Sequence, residues 1–466
     1  MVSETVLPFK LTPNTSTEKL TSFAGLPLFI ETFRALGLPQ HIQRLVRVRE
    51  RGYDETALVE SLALLNLAGG DCVEDLALLR KDAGFQALIK AKSIPSSSAV
   101  FRFLDGFHNE EAEVLRGEGK AFIPPRLKAL QGLMQCNAAI SRRLSKQLRV
   151  RSATLDMDAS ITTSQKREAL FTYKMERGYQ PFQVYWAELG SIVWSEFRDG
   201  NVPAGYGQLR ILKETLDQLP KHVTEVSVRS DSAGYQHDLM TYCEHPEKRP
   251  ARHRRFGRIP FAISADMSPS LRAEAQKATD WKPLGDNGEY EWTEVCYVPA
   301  GEWKRGKTAW PFRYILTRKK CRQPDLFEDR PDYFYYGLVT NREESGDWII
   351  EWSRKRCGHG ERVHGTVKSE LSGGTLPSKR FGANAAWWQI SVIAHNLQVA
   401  TKRLSLPESW WSMGMKGLRF HLICLAGRVV RHARQLYLRL MRGHPSYDIY
   451  AEARRRVGAL GSAGAG

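Results

Sequence analysis

The feature that most constrains this chain is a change of hydrophobic period at Arg151. Upstream, from about Thr15 to Lys146, leucines recur at i, i+3, i+4 and i+7 in segments such as YDETALVESLALLNLAGG and CVEDLALLRKD, the spacing of amphipathic helices joined by short polar turns. Downstream, SATLDMDAS alternates. Ala153, Leu155, Met157 and Ala159 face one way and Thr154, Asp156, Asp158 and Ser160 the other, which predicts a strand with two carboxylates on one face. YQPFQVYWAEL and SIVWSEFRDG predict two more strands, joined as a hairpin at Gly190. Leu209, Leu212, Leu216 and Leu219 form a helical stripe, VTEVSVRSDSAGY predicts a buried strand ending at Asp231, YQHDLMTYCEH a helix and IPFAISADM a fifth strand.

A chain of 466 residues is too long for one ordinary core. The expected division is a helical DNA-binding domain over 1–150, a mixed α/β core whose first part covers 151–275, a β-rich insertion over 276–345, the second part of the core over 346–405 and a basic helical C-terminal region over 406–466. In the first of these, SIPSSSAVFRFLDGF places a serine cap before a short helix carrying Arg102, which suits a helix-turn-helix or a plain bundle helix. The C-terminal reading rests on arginine-rich stretches such as RVVRHARQLYLRLMR.

Lys and Arg outnumber Asp and Glu by 68 to 51, a formal charge of +17 on a chain that is 10% aromatic. Excess base on a foldable sequence predicts a polyanionic partner, and the basic bridge KRPARHRRFGR, with Arg252, Arg254 and Arg255, is a candidate phosphate contact. The start MVSETVLPFKLTPN shows no charged-then-apolar leader, and no run of eighteen apolar residues occurs, so a cytoplasmic protein without a membrane partner is expected. Seven cysteines without a CxxC pair signal neither a disulfide framework nor a zinc ribbon.

The segment RCGHGERVHGTVKSELSGG mixes carboxylates with bases and glycines. On a helix, Arg354, Cys357, Glu361, His364 and Lys368 fall on one stripe beside an apolar ridge of Val363, Val367 and Leu371. Gly358 and Gly360 weaken such a helix by about 1 kcal/mol each relative to alanine, so its first turns are expected to be irregular or pressed against another backbone. Cys357, His359 and His364 lack a fourth ligand at a familiar zinc spacing. Phosphodiester cleavage with two divalent cations about 4 Å apart gives the mixture a purpose, because hard cations take carboxylate oxygens from separate elements. Asp158, Asp231 and Glu361 are the candidate ligands, with Asp156 a second ligand or a hydrogen-bond partner. Lys368, His364 and Arg354 would then hold flanking phosphates. Trp303 and Trp310 could stack on unpaired bases or simply pack a core. Each residue alone fits a duller role: a solvated face for the aspartates, a helix cap for Asp231, a salt bridge for Glu361.

LDMDAS, RSDSAGYQ and RCGHGERVHGTVKSELSGGTLPSKRFGANAAWW, in that order, resemble the three acidic blocks of bacterial insertion-sequence transposases with a DDE domain. The likeness spans roughly Arg151 to Leu404. In related cut-and-paste enzymes the third acid sits in a Tyr, Arg, Glu, Lys pattern at spacings 3, 4 and 7; here Glu361 and Lys368 fit, while Arg354 and Cys357 replace the first two. The resemblance implies a ribonuclease-H-like mixed sheet interrupted by the β-rich insertion, which also suits the strand order predicted above. It further implies two Mg²⁺ per site, with Mn²⁺ able to substitute, cleavage at terminal inverted repeats, transfer of 3′ ends to target DNA, and a homodimer that synapses two ends. A structure-specific nuclease and a non-catalytic DNA-binding regulator are the alternatives.

Overall fold

The computed structural model describes residues 18–48, 51–89, 94–117, 120–285, 288–301, 312–320 and 333–462. Its centre is a nine-stranded mixed sheet. Third from one edge, β2 (Ser152–Ala159) pairs antiparallel with β3 (Phe182–Trp186), which pairs antiparallel with the edge strand β4 (Ser191–Glu196). On its other side β2 runs parallel to β5 (Glu225–Ser230), and β5 parallel to β6 (Phe261–Ala265). The β3–β4 hairpin turns at Gly190, whose φ of 78° suits glycine. Helix α6 (Gln208–Gln218) makes the crossover from β4 to β5, burying Ile211, Leu212 and Leu216.

Beyond β6 the sheet continues through β10 (Tyr333–Thr340), β9 (Arg313–Lys320), β8 (Tyr290–Val295) and β7 (Lys282–Leu284), all antiparallel. A separate three-stranded sheet forms from the short strands 162–163, 170–171 and 177–179. The mixed α/β class expected from the sequence is the one observed.

Helices pack around one that is buried along nearly its whole length: α10 (Phe381–Ser405), whose buried polar side chains are matched by neighbouring elements or line its contacts. α1 (Leu26–Ala35), α3 (Glu55–Ala68), α4 (Ser97–Asp105) and α5 (Lys128–Gln147) pack on it, and one cluster of buried side chains runs from Leu26 to Val457. Buried amides fix the register. Asn396 exchanges both amide hydrogen bonds with the Ile192 backbone of β4 at 2.8 Å, and its Nδ2 also reaches Asn137 Oδ1 of α5 at 3.1 Å. α4 is capped as its sequence predicts: Ser96 Oγ accepts from the Ala99 amide, and Arg102 lies exposed beyond it.

The basic helix expected within RVVRHARQLYLRLMR is instead a hairpin. β11 (Gly427–His432) and β12 (Gln435–Leu440) pair antiparallel, and β11 also pairs with β1 (Lys19–Thr21) near the other end of the chain. The alternation of Val429 inward with Arg428 outward suits a strand as well as a helix, and pairing with β1 decides between them. After the hairpin the chain returns to helix in α11 (Tyr447–Ser462).

Candidate active site

Parallel register brings the two aspartate motifs together. Met157 of β2 pairs with Ser230 of β5, so the next residues, Asp158 and Asp231, stand side by side where both strands end. Two residues earlier the same register sets Asp156 against Arg229. Asp156 is 2% exposed, and its two oxygens accept from Arg229 Nε at 2.6 Å and Nη2 at 2.8 Å. Its carboxylate is therefore the counter-ion of a buried guanidinium, the hydrogen-bond role among the two considered for it. Arg229 went unnoticed in the sequence, although the shared i−2 position in DMD and RSD marks it.

The two site acids have opposite electrostatics. Burial would raise the Asp158 carboxyl, but a hydrogen bond and charge from His364, then the charge of Arg356, hold it below the usual range. Asp231 is raised, first by burial and then by the Asp158 carboxylate, with Arg356 and the Ala233 amide opposing. Asp231 Oδ1 accepts from that amide at 3.1 Å, so it also serves as a cap. Two carboxylates that repel each other in a half-buried cleft are a donor set suited to a hard cation.

Over them lies α9 (Gly346–Gly365), continued by a π-helical turn at Thr366–Glu370. Arg229 fixes it to the sheet, donating from Nη1 to the Trp352 carbonyl at 2.6 Å with its guanidinium 5.1 Å from that ring. Ile349, Ile350, Gly360, Val363 and Val367 are buried beneath. The glycine-rich turns are regular helix. A Cβ on Gly358 would meet nothing, whereas one on Gly360 would lie 3.4 Å from Asp158 Oδ2, so the close approach is to a carboxylate and not to backbone. One turn to either side, Arg356 Nη1 reaches Asp158 Oδ2 at 3.2 Å and His364 Nε2 reaches it at 3.4 Å.

The expected stripe is thus only partly turned toward the acids. His364 contacts Asp158, and Lys368 donates from the π turn to the Ile161 carbonyl beyond β2. Arg354 is exposed, pairing with Glu351 at 3.2 Å and lying 4.8 Å from the Tyr290 ring. Cys357 is exposed. Glu361 is exposed, about 60° around the helix from His364, and no three His, Cys, Asp or Glu side chains converge on one ion position among the described residues. Arg356 was absent from the sequence candidates, yet it carries the positive charge that both aspartates feel.

The basic bridge is not part of this site. It precedes β6 and so lies at the opposite end of the parallel strands from Asp158 and Asp231. Arg252 pairs with Asp217, Arg254 bonds the Arg249 and Glu247 carbonyls, and Arg255 holds the carbonyls of Leu219, Pro220 and Val223 after α6. Trp303 and Trp310 lie outside the described residues, as does the His359 side chain. No helix among the described residues is long and apolar enough to cross a membrane.

No curated protein matches the chain. Among solved structures it is similar to the piggyBac transposase in a cryo-EM structure of its synaptic complex with hairpin DNA, at 12% identity over 88% of this chain and 83% of that one, with a TM-score of 0.44. A family model described as transposase DDE domain group 1 matches residues 5–462, nearly the full length, and the chain therefore belongs to that family of transposases.

Proposed function

We propose that this protein cleaves DNA at the terminal inverted repeats of a bacterial insertion sequence and joins the freed 3′ ends to target DNA, as a homodimer on a ribonuclease-H-like core. The observation that carries this reading is the pair Asp158 and Asp231, side by side at the ends of parallel strands. The strand order supports the core assignment: three antiparallel strands, β4, β3 and β2, then β5 and β6 parallel to β2.

Asp158 and Asp231 would hold Mg²⁺ or Mn²⁺, with Glu361 as the third donor once α9 turns its exposed flank toward them. A bound divalent ion supplies charge to the scissile phosphate and lowers the pKa of the attacking oxygen. Arg356 then has a second use: released from Asp158, its guanidinium can pair with a phosphate oxygen of the strand being cut. Lys368, tied to the Ile161 carbonyl, anchors the end of the helix, and His364 sits between these two roles.

The test is metal-dependent nicking of a labelled duplex carrying the element's terminal repeat, with strand transfer measured on the same substrate. Nicking lost in Asp231→Asn and Glu361→Ala, with duplex binding retained, is the expected result. Nicking without strand transfer would identify a nuclease on this scaffold. Binding without nicking by the unaltered protein would identify a regulator, and full nicking by Glu361→Ala would remove Glu361 from the site.

A further inference from the structure

Two residues on from Gly360, about 200° around the helix, Arg362 points away from Asp158 into a cleft of about 600 Å³ between α9, α10 and the β3–β4 turn. One part of its lining is cationic. Arg362 has no ion-pair partner among the described residues, Arg403 lies 4.4 Å from the ring of Trp411, and Lys402 donates to the Met413 carbonyl at 2.9 Å. Burial pushes the Lys402 ammonium down to about 8; Glu370 opposes the shift and Arg362 adds to it. One carboxylate thus faces three cationic side chains. Arg403 Nε and Trp411 Nε1 are buried donors without a protein partner.

The other part presents acceptors. His395 is 3% exposed and Gln398 4%, one turn apart on α10, and both line the cleft. His395 Nε2 stands 3.3 Å from the Gly190 carbonyl, and burial, reinforced by Lys402, lowers the ring to about 4. The imidazole is therefore neutral with its proton on Nε2, which leaves Nδ1 as a lone pair. That atom and Gln398 Oε1 have no protein partner. Buried polar groups left in this way are costly unless a ligand meets them.

An anion alone would satisfy the donors and leave the acceptors unmet. A neutral amine would do the reverse. We propose that the cleft binds a nucleotide, its phosphate toward Arg362, Arg403 and Trp411 and an amino-bearing base edge toward His395 and Gln398. Cavities of a few hundred Å³ hold ligands of this size. The nucleotide is either free in solution or an unpaired residue of a DNA strand, and only the second source rests on the transposase reading. Because Arg362 is next to Glu361, a filled cleft also fixes the turn of α9 that carries that acid.

The probes are 2′-deoxyadenosine 5′-monophosphate, deoxyadenosine, inorganic phosphate and a short single-stranded oligonucleotide, titrated calorimetrically without metal into the full chain carrying Asp158→Asn. The monophosphate is expected to bind once per chain, at least tenfold more tightly than either of its halves. Arg403→Met and Gln398→Met should each weaken it at least tenfold, and Trp411→Phe, which removes the indole N–H donor and leaves a smaller aromatic ring, should weaken it measurably. Sensitivity confined to the oligonucleotide would place the nucleotide in a strand; sensitivity confined to the monophosphate would make it a free ligand. The proposal is overturned if neither probe responds to these substitutions, or if phosphate binds as tightly as the monophosphate. Nicking is assayed separately with Asp158 intact, so its absence beside intact cleft binding would count against the transposase reading alone.

Discussion

Asp156→Asn isolates the buried ion pair beneath the site. Asp156 and Arg229 are each 2% exposed and joined by two short charge-assisted bonds, and the same guanidinium holds the Trp352 carbonyl of α9. Removing one partner of such a pair leaves the other charged and buried, a loss of about 3–5 kcal/mol. Unfolding entropy of roughly 2 cal/mol/K per residue, over 466 residues, sums to about 1 kcal/mol/K, so a cooperative transition should fall by about 3–5 °C. Replacing both residues, Asp156→Leu with Arg229→Met, should recover most of that loss, because an apolar pair avoids the desolvation of two charges. The exposed Arg455–Glu452 pair at 2.7 Å is the control, and breaking it should have no measurable effect. Differential scanning calorimetry and urea titration read all four proteins. A loss below about 1 kcal/mol in Asp156→Asn, or a double variant no more stable than Asp156→Asn, would refute the assignment of Asp156 as a structural counter-ion. A thermal shift from Mn²⁺ that persists in the double variant and vanishes in Asp158→Asn would confirm which aspartate meets the ion.

Three further outcomes are expected. Gly358→Ala and Gly360→Ala should each stabilise α9 by up to about 1 kcal/mol, but only Gly360→Ala should reduce nicking, since its Cβ alone lies against Asp158 Oδ2; equal activity in the two variants would contradict the geometry. Burial would raise the Glu196 carboxyl, but Arg198, Arg126 and Arg210 hold it at about 2 against an ordinary 4.5, so its contribution of roughly 3 kcal/mol is present above pH 4.5 and lost as pH falls through about 2. Glu196→Gln should accordingly cost most at neutral pH and progressively less across that window in pH-dependent urea titrations. In the β11–β12 hairpin both turn residues have positive φ, 48° at Ala433 and 64° at Arg434, so Ala433→Asn with Arg434→Gly should raise the melting temperature, by an amount corresponding to about 1 kcal/mol; a fall would mean that the turn is not of the two-residue primed type.

Much of the site could be read from local pattern because its acids sit on periodic elements. DMD and RSD each end a strand whose alternation is plain, and the helix through Glu361 is continuous as far as Gly365. What a single sequence does not contain is the partner of each element. RVVRHARQLYLRLMR carries arginines at spacings that suit a helix and no glycine or asparagine at its turn, and its strand identity comes from pairing with Lys19–Thr21, some 400 residues away. The facing of α9 has the same origin. Spacing alone puts Arg354, Cys357, Glu361, His364 and Lys368 on one stripe, but the burial of Ile349, Gly360 and Val363 decides which edge of that stripe meets β2. The outcome brings His364 and Arg356 to Asp158 and leaves Glu361 about 60° around the helix from His364. α9 is held at its start by Arg229 and beyond its end by Lys368, and between these anchors its ties to Asp158 are two cationic or protonatable side chains on one carboxylate oxygen. Those ties offset the charge that a divalent ion would otherwise neutralise, so ion binding and the Arg356 pairing are opposing uses of the same oxygen. Glu361, the proposed third donor, lies exposed just outside the Asp158–Asp231 pair, on a helix that Arg229 ties to the sheet and Lys368 anchors beyond its end.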